Sequence, residues 1–218
     1  MKFVLMGAPG CGKGTQSPFL TERYGVCHLS TGDMLRDAVA RKTEYGVKAK
    51  QIMEAGGLVS DNVVFGILKE SMSRPECKYG YVLDGYPRTL RQAQLMEEAG
   101  EHVDKVIQFE TPDNVIVERT SGRWIHRSSG RSYHEAFLPP KEAGKDDITG
   151  EPLIQRPDDR KEVVVKRLAT YHKETEPLIE YYKKKGVFES IDANRPVDAV
   201  REALKSILDP VAIRLGLK

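Results

Sequence analysis

The sequence predicts an α/β fold built on a parallel sheet of five strands with helices on both faces. Three observations carry this prediction. Short apolar runs recur along the chain, longer amphipathic stretches separate them, and a glycine-rich turn directly follows the first run. The runs are FVLM at 3–6, VCHL at 26–29, YVL at 81–83, VIQF at 106–109 and VFESI at 187–191. Each is too short for a stable helix, and strands joined through helical segments make right-handed crossovers, hence a parallel sheet. Helix punctuation agrees: Thr111-Pro112-Asp113 offers an N-cap, a proline for the first turn and an early acid, Ser60-Asp61 precedes another helical run, and Gly186 closes one. Pro18 lacks an N–H and would crowd the carbonyl of Gly14, so a kink or a short irregular turn is expected there.

Two stretches break the alternation. Residues 31–73 carry helical segments punctuated by Gly46 and Gly56-Gly57 and are too long for a simple crossover, which predicts a small helical insert. Residues 122–159 are dense in Gly, Pro and charge and lack helical periodicity. Composition alone fits a structureless linker as well as a folded element. The β-like pieces WIH at 124–126 and SYH at 132–134, around a turn at Ser129-Gly130, favour a small folded lid.

At 218 residues and 39% hydrophobic, the chain can bury a sizeable core as one domain with inserts. Its 34 basic and 32 acidic side chains leave a formal net charge of +2, which excludes a global field for gathering nucleic acid or membrane. No basic leader and no bilayer-length apolar stretch is present, which points to the cytosol. Cys11, Cys27 and Cys77 are odd in number and unpatterned; this fits reduced thiols in a reducing compartment rather than a disulfide framework or a Cys-based zinc site.

The turn GAPGCGKGT at 7–15 reads as a phosphate cradle. Glycine tolerates the backbone conformations that aim N–H groups inward at an anion, and Lys13 adds a mobile cation toward the terminal phosphates. The spacing of Gly7, Gly12 and Lys13 fits the P-loop, although Gly14 takes the usual Ser/Thr position and Thr15 follows it. Cys11 is either a small filler or a thiol activated by the helix N-terminus and Lys13. Asp84 ends the third strand at the carboxyl edge of the sheet, where an acid can hold magnesium-bound water, and Arg88 follows it through a turn. Thr31 and Arg36 stand beyond the second strand at the same edge; Arg119, Arg123, Arg156 and Arg167 come later. Each arginine taken singly fits a solvated surface residue as well. Together with a P-loop they match phosphoryl transfer, whose transition state spreads charge over phosphate oxygens.

Taken in order, GAPGCGKGTQ, STGDMLR at 30–36, LDGYPRT at 83–89, Gln92, GRWIHRSSGRSYH, PPK, DDITGE and RPDDR at 156–160 resemble adenylate kinases of the long-lid form. The resemblance covers nearly the whole chain. It implies a P-loop core of residues 1–29, 60–121 and 160–218, a monophosphate-binding insert at 30–59 and a lid at 122–159. It assigns Gly10, Cys11, Gly12, Lys13, Gly14 and Thr15 to the ATP phosphates. Arg119, Arg123, Ser132, Tyr133 and Arg195 fall on the same donor side, Arg195 acting through its backbone before Pro196. To AMP it assigns Thr31, Arg36, Gly57, Leu58 and Val59, then Gly85, Tyr86, Pro87, Arg88 and Gln92. Arg156 and Arg167 lie between the nucleotides, and Lys13, Arg88, Arg123, Arg156 and Arg167 are the expected catalytic group. Gly57 departs from the lysine of some relatives, which a backbone contact survives and a side-chain contact does not.

Some members of the family carry a lid zinc site at four positions that here read His126, Ser129, Asp146 and Thr149. Ser and Thr are poor zinc ligands, so a hydrogen-bonded polar cluster is expected and no structural zinc. The resemblance implies a monomer that converts MgATP and AMP into two ADP, with Mg²⁺ near Asp84 and Thr15 through water, and so balances adenine nucleotides. GTP as donor, another nucleoside monophosphate kinase, and a nucleotide-driven switch without transfer are the alternatives.

Overall fold

The computed structural model describes residues 1–217, without the side chains at 44, 45 and 48; Lys218, the last residue of the expected core segment 160–218, lies outside the described residues. Its five-stranded sheet contains β1 (Lys2–Met6), β2 (Cys27–Ser30), β3 (Tyr81–Asp84), β4 (Lys105–Glu110) and a late strand, Phe188–Asp192, in the order β2, β3, β1, β4, late strand, all parallel. All five expected strands are present. The period of two along β1 explains why both faces are covered: Phe3 and Leu5 enter one apolar cluster, Val4 and Met6 the other. All four are almost fully buried.

Helix α1 (Lys13–Tyr24) leaves the glycine-rich turn after β1 and packs Leu20 and Tyr24 into the first cluster. It runs through Pro18 as one helix, so the irregular turn expected there does not form. After β2, α2 (Thr31–Ala40), α3 (Glu44–Glu54) and α4 (Asp61–Met72) occupy the helical stretch. Gly46 does not punctuate it. That residue lies inside α3, where a Cβ would meet the Ala38 carbonyl oxygen at 2.1 Å, so its role is close packing of α3 on α2. Gly56, with φ 79°, does end the helix.

Helices α5 (Leu90–Glu98) and α6 (Asp113–Ser121) follow β3 and β4. A second sheet then forms, β5 (Arg123–His126) between β6 (Ser132–His134) and β7 (Leu153–Ile154), all antiparallel. The β5–β6 hairpin is the one expected from sequence, and residues 122–159 are folded. Helix α7 (Lys161–Thr170) continues through one π-helical segment, Tyr171–Thr175, into α8 (Leu178–Lys184); the late strand is β8, and α9 (Val197–Arg214) closes the chain.

One expectation is overturned. Cys27 and Cys77 form a disulfide, their Cα atoms 5.0 Å apart. Cys27 opens β2 and Cys77 ends the short turn Pro75–Cys77 just before β3, so the parallel pairing of β2 with β3 brings together two cysteines separated by 50 positions. Only Cys11 is a free thiol among the described residues, and it is buried. The reading of three reduced thiols is therefore wrong.

Candidate active site

At the carboxyl ends of the strands lies an open cleft of about 1400 Å³, reached by the turn after β1, the start of α2, the end of β3 and the small antiparallel sheet. Parallel sheets place ligands at this edge because strand ends and helix N-termini converge there. The turn after β1 is a backbone structure. Gly10 has φ 85° and a Cβ there would sit 2.2 Å from Thr120 Oγ1, so only glycine fits. The N-terminus of α1 carries no side-chain cap. Lys13 Nζ curls back, donating to the carbonyls of Gly7 at 2.8 Å and Ala8 at 3.0 Å, and stands 3.3 Å from Cys11 Sγ.

Asp84 faces Lys13 across the cleft floor. Burial opposes its ionisation, but the His28 imidazole, 3.6 Å from Oδ2, and the Lys13 ammonium outweigh this and hold the carboxyl below the usual carboxylate range. Gly85 (φ 77°) turns the chain so that Arg88 Nε donates to the Gly85 carbonyl at 2.7 Å, to which Thr31 Oγ1 also donates at 2.8 Å. Burial lowers the Arg88 guanidinium from its ordinary value, and Asp84 counters this.

The remaining arginines are held by carboxylates that sequence reasoning did not single out. Arg36 and Arg156 both donate to Asp33 Oδ1, at 2.6 and 3.2 Å. Arg167 Nη1 donates to the Asp158 carbonyl at 3.1 Å, pairs with its carboxylate at 3.1 Å, and lies 3.7 Å from Asp159. Arg123 grips Asp159 with two donors. Burial, with neighbouring arginines, brings Arg156 and Arg167 down to about 10, still cationic at neutral pH. The signal for Asp158 and Asp159 was the DD of RPDDR, set among arginines, and for Asp33 its place three residues before Arg36 in STGDMLR. Arg119 donates to the Ala193 carbonyl at 3.2 Å and to Asn194 Oδ1 at 3.1 Å, beside Arg195 at the cleft rim.

Gly57, Leu58, Val59 and Gln92 line the cleft, as do Ser132 and Tyr133 of the small antiparallel sheet. Thus one cleft collects every residue expected from the sequence except Tyr86. That side chain is fully buried, stacked near Phe65, and its hydroxyl donates to the Gln92 carbonyl at 3.2 Å; any contribution from this position comes through the backbone. The four lid positions form a polar cluster: His126 Nδ1 is 2.7 Å from Ser129 Oγ, and Thr149 Oγ1 donates to Asp146 at 2.9 Å. Arg131 and Tyr133 also donate to Asp146, and Glu151 takes the other side of His126. Among the described residues, no group of three or more His, Cys, Asp and Glu is placed to hold a metal ion.

The family model "Adenylate kinase" matches residues 5–187. Adenylate kinase 4 of Oryza sativa subsp. japonica is 53% identical over 211 residues, 95% of this chain and 87% of that protein. Adenylate kinase 4 of Arabidopsis thaliana is also 53% identical, over 95% of this chain and 86% of its own length. An adenylate kinase of Laccaria bicolor (strain S238N-H82 / ATCC MYA-4686) shares 49% over 95% and 83%. A match that spans the phosphate turn, the arginines and the small antiparallel sheet alike leaves one conclusion: the chain belongs to the adenylate kinase family of phosphotransferases.

Proposed function

We propose that this enzyme transfers the γ-phosphoryl group of MgATP reversibly to AMP, giving two ADP, and so balances adenine nucleotides. The observation that carries the reading is that Arg36, Arg88, Arg123, Arg156 and Arg167 line one cleft together with the phosphate turn. The turn backbone and Lys13 bind the donor phosphates; Arg119 and Arg195 lie where the donor base leaves the cleft. Residues 30–59 act as the AMP insert, Thr31, Leu58, Val59 and Gln92 receiving the nucleoside and Arg36 and Arg88 its phosphate. Arg123, Arg156 and Arg167 neutralise charge on the group in flight.

Arg36, Arg123, Arg156 and Arg167 rest on carboxylates and Arg88 on the Gly85 carbonyl until phosphate oxygens replace these partners, which keeps the cations in place at little reorganisation cost. Residues 122–159 act as the lid and exclude water, which would otherwise hydrolyse ATP; closure of this kind is an established property of adenylate kinases as a class. The depressed carboxyl of Asp84 beside Lys13, near Thr15, suits magnesium held through water, and the ion when bound shields the donor phosphates. The protein is proposed to act as a monomer on ATP, ADP and AMP, with no nucleic acid or membrane partner. No helix among the described residues is long and apolar enough to cross a membrane. Cytosolic residence, expected from the sequence, is part of the proposal; a Cys27–Cys77 bond that stays closed under thiol trapping at cell lysis would place the enzyme in an oxidising compartment instead.

Incubating ATP or GTP with each nucleoside monophosphate and measuring diphosphates tests the reaction. Two diphosphates formed per turnover with ATP and AMP support it. Preference for GTP would reassign the donor, and hydrolysis independent of AMP would make the protein a switch.

A further inference from the structure

Gln92 is 2% exposed, yet it lines the cleft. Its carboxamide is gripped from two sides. Nε2 donates to Asp61 Oδ1 at 2.8 Å, and Oε1 accepts from the Arg88 backbone N–H at 2.7 Å. Thr89 closes the ring: its hydroxyl donates to the same Asp61 oxygen at 3.2 Å and accepts from the Gln92 N–H at 3.1 Å. A carboxylate only accepts and a backbone N–H only donates, so these partners settle which end of the amide is oxygen. One N–H and one oxygen lone pair remain for a ligand.

The order of those two groups matters. Adenine offers an amino donor beside a ring-nitrogen acceptor. Hypoxanthine and guanine offer a carbonyl acceptor beside a ring N–H donor, the reverse order. An amide held as Gln92 is held can pair with the first edge, and only its flipped form can pair with the second. We propose that Asp61 is a specificity-determining positioning residue: by fixing the Gln92 amide it selects 6-amino over 6-oxo purine monophosphates as acceptors. This rests on the reading of Gln92 as the contact to the acceptor base. Asp61 touches no substrate itself, and without it the flip is opposed by the Arg88 N–H alone.

Asp61→Asn keeps the shape but can donate as well as accept, so the lock is released. The test compares AMP with inosine monophosphate, which differs from it at this edge. In Asp61→Asn the AMP:IMP ratio of kcat/KM is expected to fall about tenfold, the value of one hydrogen bond, the loss appearing in KM for AMP while KM for ATP is unchanged. Asp61 is also the first-turn acid of α4 and ties α4 to α5, and a merely structural role would lower Tm and weaken both acceptors equally. An unchanged ratio in Asp61→Asn, with a collapsed ratio in Gln92→Leu, overturns the proposal and leaves Gln92 as the base contact. An unchanged ratio in Gln92→Leu overturns the base reading and the proposal with it.

Discussion

Arg123, the first residue of β5, and Asp159, in the turn that leaves the small sheet, form a two-pronged ion pair with Nε on Oδ2 at 2.9 Å and Nη2 on Oδ1. The pair ties together the two ends of residues 122–159. Asp159 is 3% exposed and Arg123 20%, so the carboxylate is the main counter-charge of a largely desolvated cation. Asp159→Asn removes that charge and costs the empty protein about 2 kcal/mol. Phosphate oxygens can supply the missing charge. The rise in Tm on adding AMP with a non-transferable ATP analogue is therefore expected to be larger in the variant than in the wild type; equal rises would mean that Arg123 does not change partners on binding.

Lys13 holds the carbonyls of Gly7 and Ala8 in the free enzyme, bonds that water can replace at this half-open site. Its charge has no such substitute once phosphates are bound. Lys13→Ala is expected to lower kcat by about a hundredfold to a thousandfold while Tm moves little. Near-normal turnover in steady-state assays would remove Lys13 from the catalytic group.

Much of this architecture could be read from the chain because its signals are local. The alternation of Phe3 and Leu5 with Val4 and Met6 marks a strand buried on both faces, and the glycines at 7, 10 and 12 mark a backbone cradle. The features that escaped depend on pairing between distant segments. β7 is only two residues, Leu153–Ile154, and exists because β5 offers it an edge. Gly46 looks like a helix breaker until Ala38 is seen against it. Asp33, Asp158 and Asp159 escape because the arginines they hold, Arg156, Arg167 and Arg123, come from other elements of the fold. Asp61 read as a helix-start acid, and its hold on Gln92 spans 31 positions.

The Cys27–Cys77 bond closes a loop containing α2, α3 and α4. Loop-closure entropy for a separation of 50 residues corresponds to about 4 kcal/mol of stabilisation. Reduction, or the double change Cys27→Ala and Cys77→Ala, is expected to lower Tm by roughly 10 °C in a protein of this size. The bond lies at the N-terminal ends of β2 and β3, away from the cleft, so kcat at 25 °C should be retained. Thiol titration in denaturant should find one thiol before reduction and three after. Cys11, 1% exposed, should label only on unfolding, which would favour the filler reading over the reactive one.

His172 provides the clearest pH signature. In the π-helical segment after α7 its Nε2 lies 2.9 Å from Asp113 Oδ2 at the start of α6, and its Nδ1 lies 3.1 Å from Glu176 Oε2. The bond to Asp113 is the main cause that raises the imidazole above its ordinary value of 6.5; burial opposes it, and Glu176 adds to the rise. A raised folded value means that the folded state binds the proton more tightly than the unfolded chain. The stabilisation is complete below about pH 6.5 and is lost as pH rises through the raised value. At 43% exposure solvent screens the pair, so a few tenths of a kcal/mol is expected. Urea unfolding of wild type and His172→Gln, measured from pH 5.5 to 8.5, should give a stability difference that is largest at the acid end and shrinks toward the alkaline end. A difference that stays constant across this range would show that His172 acts through packing, not through its charge.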